Sequence, residues 1–318
     1  MLPLQVLDAD ANANIGAVPS GSKLWQVVRG HRAGVVGAAI LLVFTVLAIG
    51  APWFAPYSTT TASGPVFAPP SLHHLLGTND GGIDMVSLLM AGGRISMLIG
   101  FACAAIAAVP GLLVGVLSGY FGGIVDTVLM RVTDFFIVLP TVPVMIVIAA
   151  VWGPSLAHVI VAISVLLWTA TARVIRAQVK SLRERAFVQR ARTLGMRNTR
   201  VILRHIVPNV TPLLVANSVV ALALAIFYET ALAFLGLGDP TTTSWGTIIE
   251  DAFLRTAISV GAWWAVVPPG ICVALVVIGA YLVGQSIEDE LNPRLKIAHF
   301  SARFWSVRPL VGRGSEAI

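Results

Sequence analysis

Apolar residues are grouped along the chain into six long runs, and short polar segments separate them. Each run is close to the ~20 residues that a helix needs to cross the hydrocarbon core of a bilayer. The runs are continuously apolar rather than alternating, which favours helices over a membrane barrel. The pattern therefore predicts an all-α polytopic membrane protein with six transmembrane helices, at residues 33–54, 93–119, 127–151, 155–172, 210–237 and 262–285.

Composition supports the membrane interpretation. Hydrophobic residues make up 57% of the chain and charged residues only 11%. The mean hydropathy of +0.86 is too high for a soluble globular protein. The pI near 9.9 is also typical of nucleic-acid-binding proteins. In a polytopic protein, however, the same excess of base is expected in cytoplasmic loops, so no nucleic-acid partner is predicted.

Lysine and arginine are distributed unequally between the two sides of the predicted spans. If the N-terminus is inside, 19 of the 21 basic residues lie inside: three precede the first span, one is Arg131, ten lie from Arg173 to Arg204, and five follow the last span. Only Arg94 and Arg255 then lie outside. The positive-inside rule predicts that both termini are cytoplasmic.

No convincing cleavage site follows the first run, which predicts an uncleaved span rather than a signal peptide.

The spans and charges divide the chain into four segments. These are a cytoplasmic N-terminal segment (1–32), a first transmembrane helix with an external loop (33–92), a core transmembrane domain (93–285) and a cytoplasmic tail (286–318). The core domain includes a strongly basic cytoplasmic loop at 183–209, between spans four and five. Topology explains why charge lies in this loop, but it does not explain the order of the residues there.

The first part of the basic loop has helical spacing. A helix is predicted over 183–194, with Phe187, Ala191 and Leu194 on one face. Gly195 is suited to the left-handed conformation that ends a helix.

A second short helix is predicted after the glycine, with Val201, Ile202 and Ile206 on one side. Pro208 is expected to stop or kink it just before span five. Two interpretations remain open from spacing alone. One is an amphipathic pair of helices that rests on anionic membrane lipid, and the other is a helix that is offered to a groove on a partner protein.

The basic loop resembles the cytoplasmic EAA loop of binding-protein-dependent ABC importer permeases, in the form found in the dipeptide/oligopeptide/nickel family. The residues that match this pattern are Phe187, Val188, Ala191, Arg192, Leu194, Gly195 and Pro208. The chain departs from the pattern at Ala186, where the family usually has an acid, and at Arg190, where it usually has alanine.

Three other stretches resemble the same family in the same order. They are LGTNDGGIDMVSLLMAGGRIS (Leu76–Ser96), YETALAFLGLG…SWG (Tyr228–Gly246) and EDELNPRL (Glu288–Leu295). The first of them is similar to the family's external motif and keeps, among others, Gly77, Thr78, Asp84 and Arg94. It has Asn79, Ile83 and Leu88 where the family has charged residues. If those charges pair with each other in relatives, their joint loss is structurally neutral.

The resemblance implies an ABC type I importer permease fold in the cell membrane and a role as the permease subunit of an ATP-driven importer. It also implies a second homologous permease subunit, cytoplasmic ABC ATPase subunits, an external solute-binding protein and membrane lipid as partners. The chain contains no GxxxxGK[ST] motif, so ATP and Mg are expected on the ATPases, with no cofactor in this chain and no catalysis by it. Peptides are the leading substrates, while nickel chelates, glutathione and haem use the same architecture.

Two other functions are alternatives to the importer permease. A self-sufficient secondary transporter needs an inverted repeat and coupling residues near the midplane, and only Glu229 is a candidate for the latter. A membrane scaffold without transport is the other.

An acid inside an apolar span usually faces the bundle interior. For Glu229 this leaves pathway lining or a helix–helix anchor, and the anchor is favoured because the family has an acid here whatever it transports.

Several further residues carry expectations about packing. His73 and His74 lack a third ligand, so no metal site is predicted. Asp134 is expected to pair with Arg131 three residues earlier. Cys103 and Cys272 fall in apolar runs and are expected to be small buried side chains.

Small residues and prolines mark two further features of the spans. A ladder of glycines in span two predicts close helix packing, and its members are Gly111, Gly115 and Gly119. Prolines interrupt span three and the start of span six, and they mark either tolerated breaks or hinges. These prolines are Pro140, Pro143, Pro268 and Pro269.

Overall fold

The computed structural model describes residues 28–291, and its regular structure is helical. The helices are α1 (Arg32–Phe54), α2 (Met85–Phe121), α3 (Gly123–Val138), α4 (Thr141–Trp152), α5 (Leu156–Arg183), α6 (Ala186–Thr193), α7 (Asn198–Val201), α8 (Val207–Phe234), α9 (Trp245–Leu254) and α10 (Val267–Leu291). A π-helical turn (Ile202–Ile206) joins α7 to α8, and a 3-10 turn (Trp263–Ala265) precedes α10. Most of the predicted segments 1–32 and 286–318 lies outside the described residues.

The apolar runs correspond to membrane-length helices. Five helical stretches in the described part of the chain are long and apolar enough to cross a membrane. The pair α3–α4 gives a sixth if its two helices, bent by 84°, are counted as one span. Two of the predicted helices were too short. α2 begins at Met85, inside the predicted external loop, and α5 continues to Arg183. Hydropathy marks only the part of a helix that lies in lipid, whereas helical backbone continues wherever its residues pack or pair.

The long helices run between two ends of the bundle. At the arginine end lie the C-terminus of α5, α6, α7 and the start of α8. At the cap end, residues 55–84 and 235–266 cover the opposite ends of the helices. Trp264 joins these two covering segments, since its indole N–H donates to the Thr78 carbonyl at 3.1 Å. Val28 and Ile287 cluster with Ala216 in the first half of α8, so both ends of the described chain lie toward the arginine end.

Glycines at every fourth position let α2 approach α5 closely. The glycines are Gly111, Gly115 and Gly119, and they face Thr171, Ile175 and Val179 respectively. A Cβ atom added to each glycine would lie 2.8, 2.7 and 2.7 Å from the Cβ atom it faces, closer than real side chains approach. The predicted ladder is therefore confirmed, and its partner helix is α5.

The prolines have two different positions in the fold. Pro140 precedes the first residue of α4 at the bend, and Pro143 lies in the first turn of that helix. Pro268 and Pro269 lie in the first turn of α10, where a missing N–H costs little. The first pair marks a break within a span, as predicted. The second pair begins a helix and does not interrupt one.

Candidate functional site

The basic loop folds against the arginine end of the bundle. α6 begins at Ala186 rather than at Arg183, because α5 ends there and residues 184 and 185 form a turn. The Gln189 side chain fastens the two helices by donating to the Arg183 carbonyl at 3.0 Å. Val188 is completely buried, in a cluster formed by α2, α5, α7 and α8. α6 is therefore held to several helices of the bundle at once.

α6 has one face against the bundle and one face open to solvent. Phe187 is 39% exposed and Leu194 is 86% exposed. Ala191 is only 6% exposed and packs with Val188. The prediction that Ala191 shares one face with Phe187 and Leu194 was wrong, because the side chains beneath α6 come from helices distant in sequence. The outward surface contains Phe187 and Leu194, and the exposed Arg190 lies beside them.

Gly195 ends α6 as predicted. Its φ of +75° is in the left-handed region, and the following Met196 N–H donates to the Ala191 carbonyl at 3.1 Å. Nothing lies within 4 Å of the position of a Cβ atom at Gly195. Backbone conformation, and not lack of space, therefore favours glycine here. Arg192, a matched family residue, is exposed next to this turn.

The second half of the loop leads directly into α8. Val201 and Ile206 are completely buried, and Ile202 is half-buried, so the predicted apolar side is confirmed. Pro208 does not stop this helix, because it lies in the first turn of α8. The backbone departs from regular α-helix directly before it, in the π-helical turn. The Tyr120 hydroxyl at the end of α2 donates to the Asn198 side chain at 3.0 Å. The loop is thus fastened to α2 as well as to α5.

Ion pairs attach α3 to α5, and sequence analysis did not find them. Asp126 accepts from Arg176 at 2.5 and 2.7 Å and from Lys180 at 2.7 Å. Asp134 pairs with Arg173 of α5 at 2.6 Å. The expected Asp134–Arg131 pair was wrong, because Asp134 points to the neighbouring helix. The basic residues of α5 are spaced three and four residues apart, so they share one face of the helix. This spacing was the signal in the sequence that could have indicated a charged face.

Glu229 links three helices near the cap end. Its side chain is buried, and the Ser96 hydroxyl of α2 donates to the carboxylate at 3.3 Å. The Ser96 oxygen in turn accepts from the backbone N–H of Trp245, the first residue of α9, at 3.1 Å. The space beside Glu229 has a volume of about 10 Å³, near the minimum for one water molecule. This geometry favours the anchor interpretation of Glu229, whose part in transport stays a prediction.

We expect Glu229→Gln to weaken this anchor without changing which substrate is carried. The glutamine oxygen still accepts from Ser96, but its amide nitrogen replaces an oxygen acceptor in a closely packed place, and a buried donor without an acceptor costs ~1–3 kcal/mol. Melting temperature in detergent and uptake of two substrates of different charge are the measurements. Both uptake rates should fall by the same factor. A changed ratio between them, with assembly intact, would assign Glu229 to the pathway.

The external motif forms the link between the cap end and α2. Asp84 is the N-cap residue of α2 and accepts from the Ser87 N–H at 2.9 Å, the Ser87 hydroxyl at 3.0 Å and His74 Nδ1 at 3.0 Å. Gly77 has a φ of +68°, and a Cβ atom there would lie 2.8 Å from the Trp264 ring. Thr78 is completely buried, and its hydroxyl donates to the Pro65 carbonyl at 2.6 Å.

The three residues that depart from the family's external motif are Asn79, Ile83 and Leu88, and each has a definite set of contacts in the structure. Asn79 accepts from the N–H groups of Gly81 at 2.9 Å and Ile83 at 2.8 Å, which holds a tight turn. Ile83 packs against the main apolar core, and Leu88 is buried inside it. Both side chains therefore contribute to the apolar core in this chain.

Asp239 connects the loop after α8 to the start of α5. Its carboxylate accepts from the hydroxyl and N–H of Thr241 and, at 3.1 Å, from the N–H of Leu156. These hydrogen bonds, with the Thr241 hydroxyl foremost, lower the pKa of the Asp239 carboxyl. An ionised acid also suits the positive end of the α5 dipole.

The predicted site residues therefore lie toward the two opposite ends of the bundle. The matched residues of the basic loop lie together at the arginine end. Gly77, Thr78 and Asp84 lie together at the cap end, and Glu229 is buried beneath the start of α9. Arg94 stands apart from the other motif residues, exposed on α2.

Two families match this chain. The family described as binding-protein-dependent transport system inner membrane component matches residues 111–297. The N-terminal transmembrane domain of oligopeptide transport permease C matches residues 21–70.

Curated relatives match along most of the chain. The dipeptide transport system permease protein of Alkalihalophilus pseudofirmus is 32% identical over 285 residues, which cover 88% of this chain and 92% of the relative. The di/tripeptide transport system permease protein of Pseudomonas aeruginosa is 33% identical, with 87% and 93% covered. The oligopeptide transport system permease protein of Bacillus subtilis is 33% identical, with 90% and 96% covered.

Proposed function

This chain belongs to the family of binding-protein-dependent transport inner membrane components, and on that premise we propose that it carries peptides into the cell. It is a permease subunit of an ABC importer, so the alternative of a self-sufficient secondary transporter is wrong. The peptide substrate is supported by the relatives, which are named for dipeptide, di/tripeptide and oligopeptide transport.

The two-faced α6 is the observation that supports coupling to an ATPase most strongly. Val188 and Ala191 are buried against the bundle, while Phe187 and Leu194 project away from it. A partner that holds the outward face therefore moves α6, and α6 moves the ends of α2, α5 and α8 with it. We propose that ATP-driven closure of two cytoplasmic ABC ATPase subunits supplies this movement. The bundle then tilts between inward-open and outward-open arrangements.

Three further partners complete the proposed complex. A second, homologous permease subunit forms the other half of the translocation pathway. An external solute-binding protein selects the peptide and delivers it to the cap end. ATP and Mg are bound by the ATPases, so this chain has no catalytic role and holds no cofactor. Support for this division comes from the absence of a phosphate-binding GxxxxGK[ST] motif in the sequence.

Reconstitution tests the proposed function. The tagged chain is purified from its native membrane, and ABC ATPase subunits are expected to co-purify with it. The complex is then placed in proteoliposomes with ATP on the ATPase side and a peptide-loaded binding protein on the other. Uptake of labelled peptide should require both ATP and the binding protein. Uptake that proceeds without ATP would contradict the proposal, and ATP-driven uptake of a non-peptide solute alone would correct the substrate.

Cysteine labelling tests the proposed orientation, in which the arginine end is cytoplasmic. Thr61 at the cap end and Thr199 at the arginine end are both exposed. In a variant without Cys103 and Cys272, Thr61→Cys should react with a membrane-impermeant maleimide in intact cells. Thr199→Cys should react at least tenfold less until the membrane is opened. Labelling of Thr199→Cys alone in intact cells would invert the topology.

A further inference from the structure

An open groove at the cap end contains a charge that the transport mechanism leaves unused. The groove has a volume of about 840 Å³ and lies between the end of α1, α2 and the loop at 241–243. Arg94 of α2 lines it and is exposed. Among residues 28–291, no hydrogen-bond acceptor, carboxylate or aromatic ring pairs with the Arg94 guanidinium. A single positive charge therefore faces an open space that is large enough for a small polar group.

The groove lining favours an anion. Its polar side chains besides Arg94 are all hydroxyls, and the lining contains no carboxylate. The hydroxyl residues are Tyr57, Ser58, Thr59, Thr241, Thr242 and Thr243. A cationic or zwitterionic group would find no acid for its positive charge on this lining. A phosphate, in contrast, is matched by a guanidinium, which donates two parallel hydrogen bonds to it.

An apolar stripe continues from the groove along α2. Every side chain of α2 that is exposed between Leu98 and Leu117 is apolar, including Phe101 at 50%, Val109 at 60% and Leu113 at 55%. At a rise of 1.5 Å per residue this stretch is about 30 Å long, which is the thickness of a bilayer hydrocarbon core. Arg94 lies one helical turn beyond it, at the depth of lipid phosphates.

Aromatic residues of α1 indicate the same membrane depth. Trp53 is 78% exposed and Phe54 is 57% exposed, directly beside the α1 residues that line the groove. Aromatic side chains, tryptophan above all, are enriched where a membrane meets water. The groove therefore lies at the interface and opens toward a surface that suits an acyl chain.

We propose that this groove binds an anionic glycerophospholipid, with the headgroup phosphate on Arg94 and one acyl chain along the apolar stripe of α2. The proposal requires only that the chain is inserted in a membrane, and it does not depend on the transported substrate. The second permease subunit is the competing occupant of the stripe. If it covers the groove, the assembled complex retains no lipid there.

Native mass spectrometry of the complete complex, titrated with phosphatidylglycerol or phosphatidylcholine, tests the proposal. The wild-type complex should retain phosphatidylglycerol at lower lipid concentration than phosphatidylcholine. Arg94→Gln should weaken phosphatidylglycerol retention about tenfold, since a charge-assisted hydrogen bond is lost. Arg255→Gln is the matched control, because it removes the same charge at the same end, where Arg255 pairs with Asp80 instead. Equal retention by wild type and Arg94→Gln, or equal retention of the two lipids by wild type, would overturn the proposal.

A photoreactive phosphatidylglycerol gives a test that does not need a variant to fold. In the wild-type complex it should label peptides that contain residues 91–98 or 51–59, and inorganic phosphate at millimolar concentration should not compete. Labelling confined to α3 or α4 would place the lipid elsewhere. Competition by free phosphate would show an anion site that does not recognise lipid. Either result would refute the proposed occupant.

Discussion

Replacing Phe187 by alanine is expected to lower the affinity of the ABC ATPases for this chain about 30-fold, which corresponds to ~2 kcal/mol for a buried aromatic anchor. Phe187 is an aromatic side chain on the outward face of α6, and among residues 28–291 its ring neighbour is His205, at 6.2 Å between ring centroids. More than a third of the side chain is exposed, so its removal should disturb the bundle less than removal of the completely buried Val188. ATPase retention on the purified permease pair and peptide-stimulated ATP hydrolysis are the measurements.

Arg200→Gln is the control for the anchor. Arg200 is exposed in the same loop but lies on α7, beyond the Gly195 turn. Charges at the rim of an interface contribute on the order of 0–1 kcal/mol, so ATPase retention should hardly change. Gly195→Trp should uncouple hydrolysis from transport, because the left-handed backbone at this position is strained for any side chain. Full coupling in Phe187→Ala together with loss in Arg200→Gln would replace the apolar anchor by an electrostatic contact.

Replacing Gly115 by leucine is expected to prevent α2 and α5 from packing, and to abolish the folded complex in detergent. A Cβ atom alone at this position would lie 2.8 Å from the Ala172 carbonyl oxygen, besides its clash with Ile175. Overpacking by a few methylenes costs ~1–3 kcal/mol where a core adjusts. A backbone carbonyl in the middle of a helix adjusts much less than a side chain. The measurements are yield of monodisperse complex and melting temperature.

Gly270→Leu is the matched control for the helix-packing prediction. Gly270 is also helical and has no positive φ, but nothing lies within 4 Å of the position of a Cβ atom there. The same substitution should leave yield and melting temperature within a few degrees of wild type. A similar loss in both variants would attribute the effect to leucine at a helical glycine in general, rather than to the contact between α2 and α5.

Features encoded by nearby residues were predictable from the sequence. Continuous hydropathy located the spans, and four-residue spacing identified the glycines of α2. The role of Gly195 followed from the conformations that glycine alone adopts easily. The spans are determined by contact with lipid, and Gly195 by its own backbone conformation. The glycines of α2 provide a smooth helix surface, whichever helix packs on it. None requires knowledge of which helix is the neighbour.

Features that depend on the neighbouring helix were not predictable. Asp126 and Arg176 are 50 residues apart in sequence, and nothing local shows that α3 lies against α5. Ala191 faces inward because α2, α5 and α8 meet beneath it, a fact that helical periodicity in α6 does not contain. Glu229 was recognised as costly to bury, but its partner Ser96 is 133 residues away. The missing information was in each case the packing arrangement.

Because of the π-helical turn before α8, the orientation of α6 and α7 depends on the exact number of residues in the basic loop. Val201 and Ile206 are both completely buried although they are five residues apart, which in a regular α-helix places two side chains about 140° from each other. The wider turn at Ile202–Ile206 absorbs this mismatch. Deleting one residue would restore regular helix but rotate α6 and α7 by about 100° around the axis of α8. Point substitutions on the outward face are therefore a far easier evolutionary route to new ATPase partners than insertions or deletions, which would turn Phe187 away from any partner.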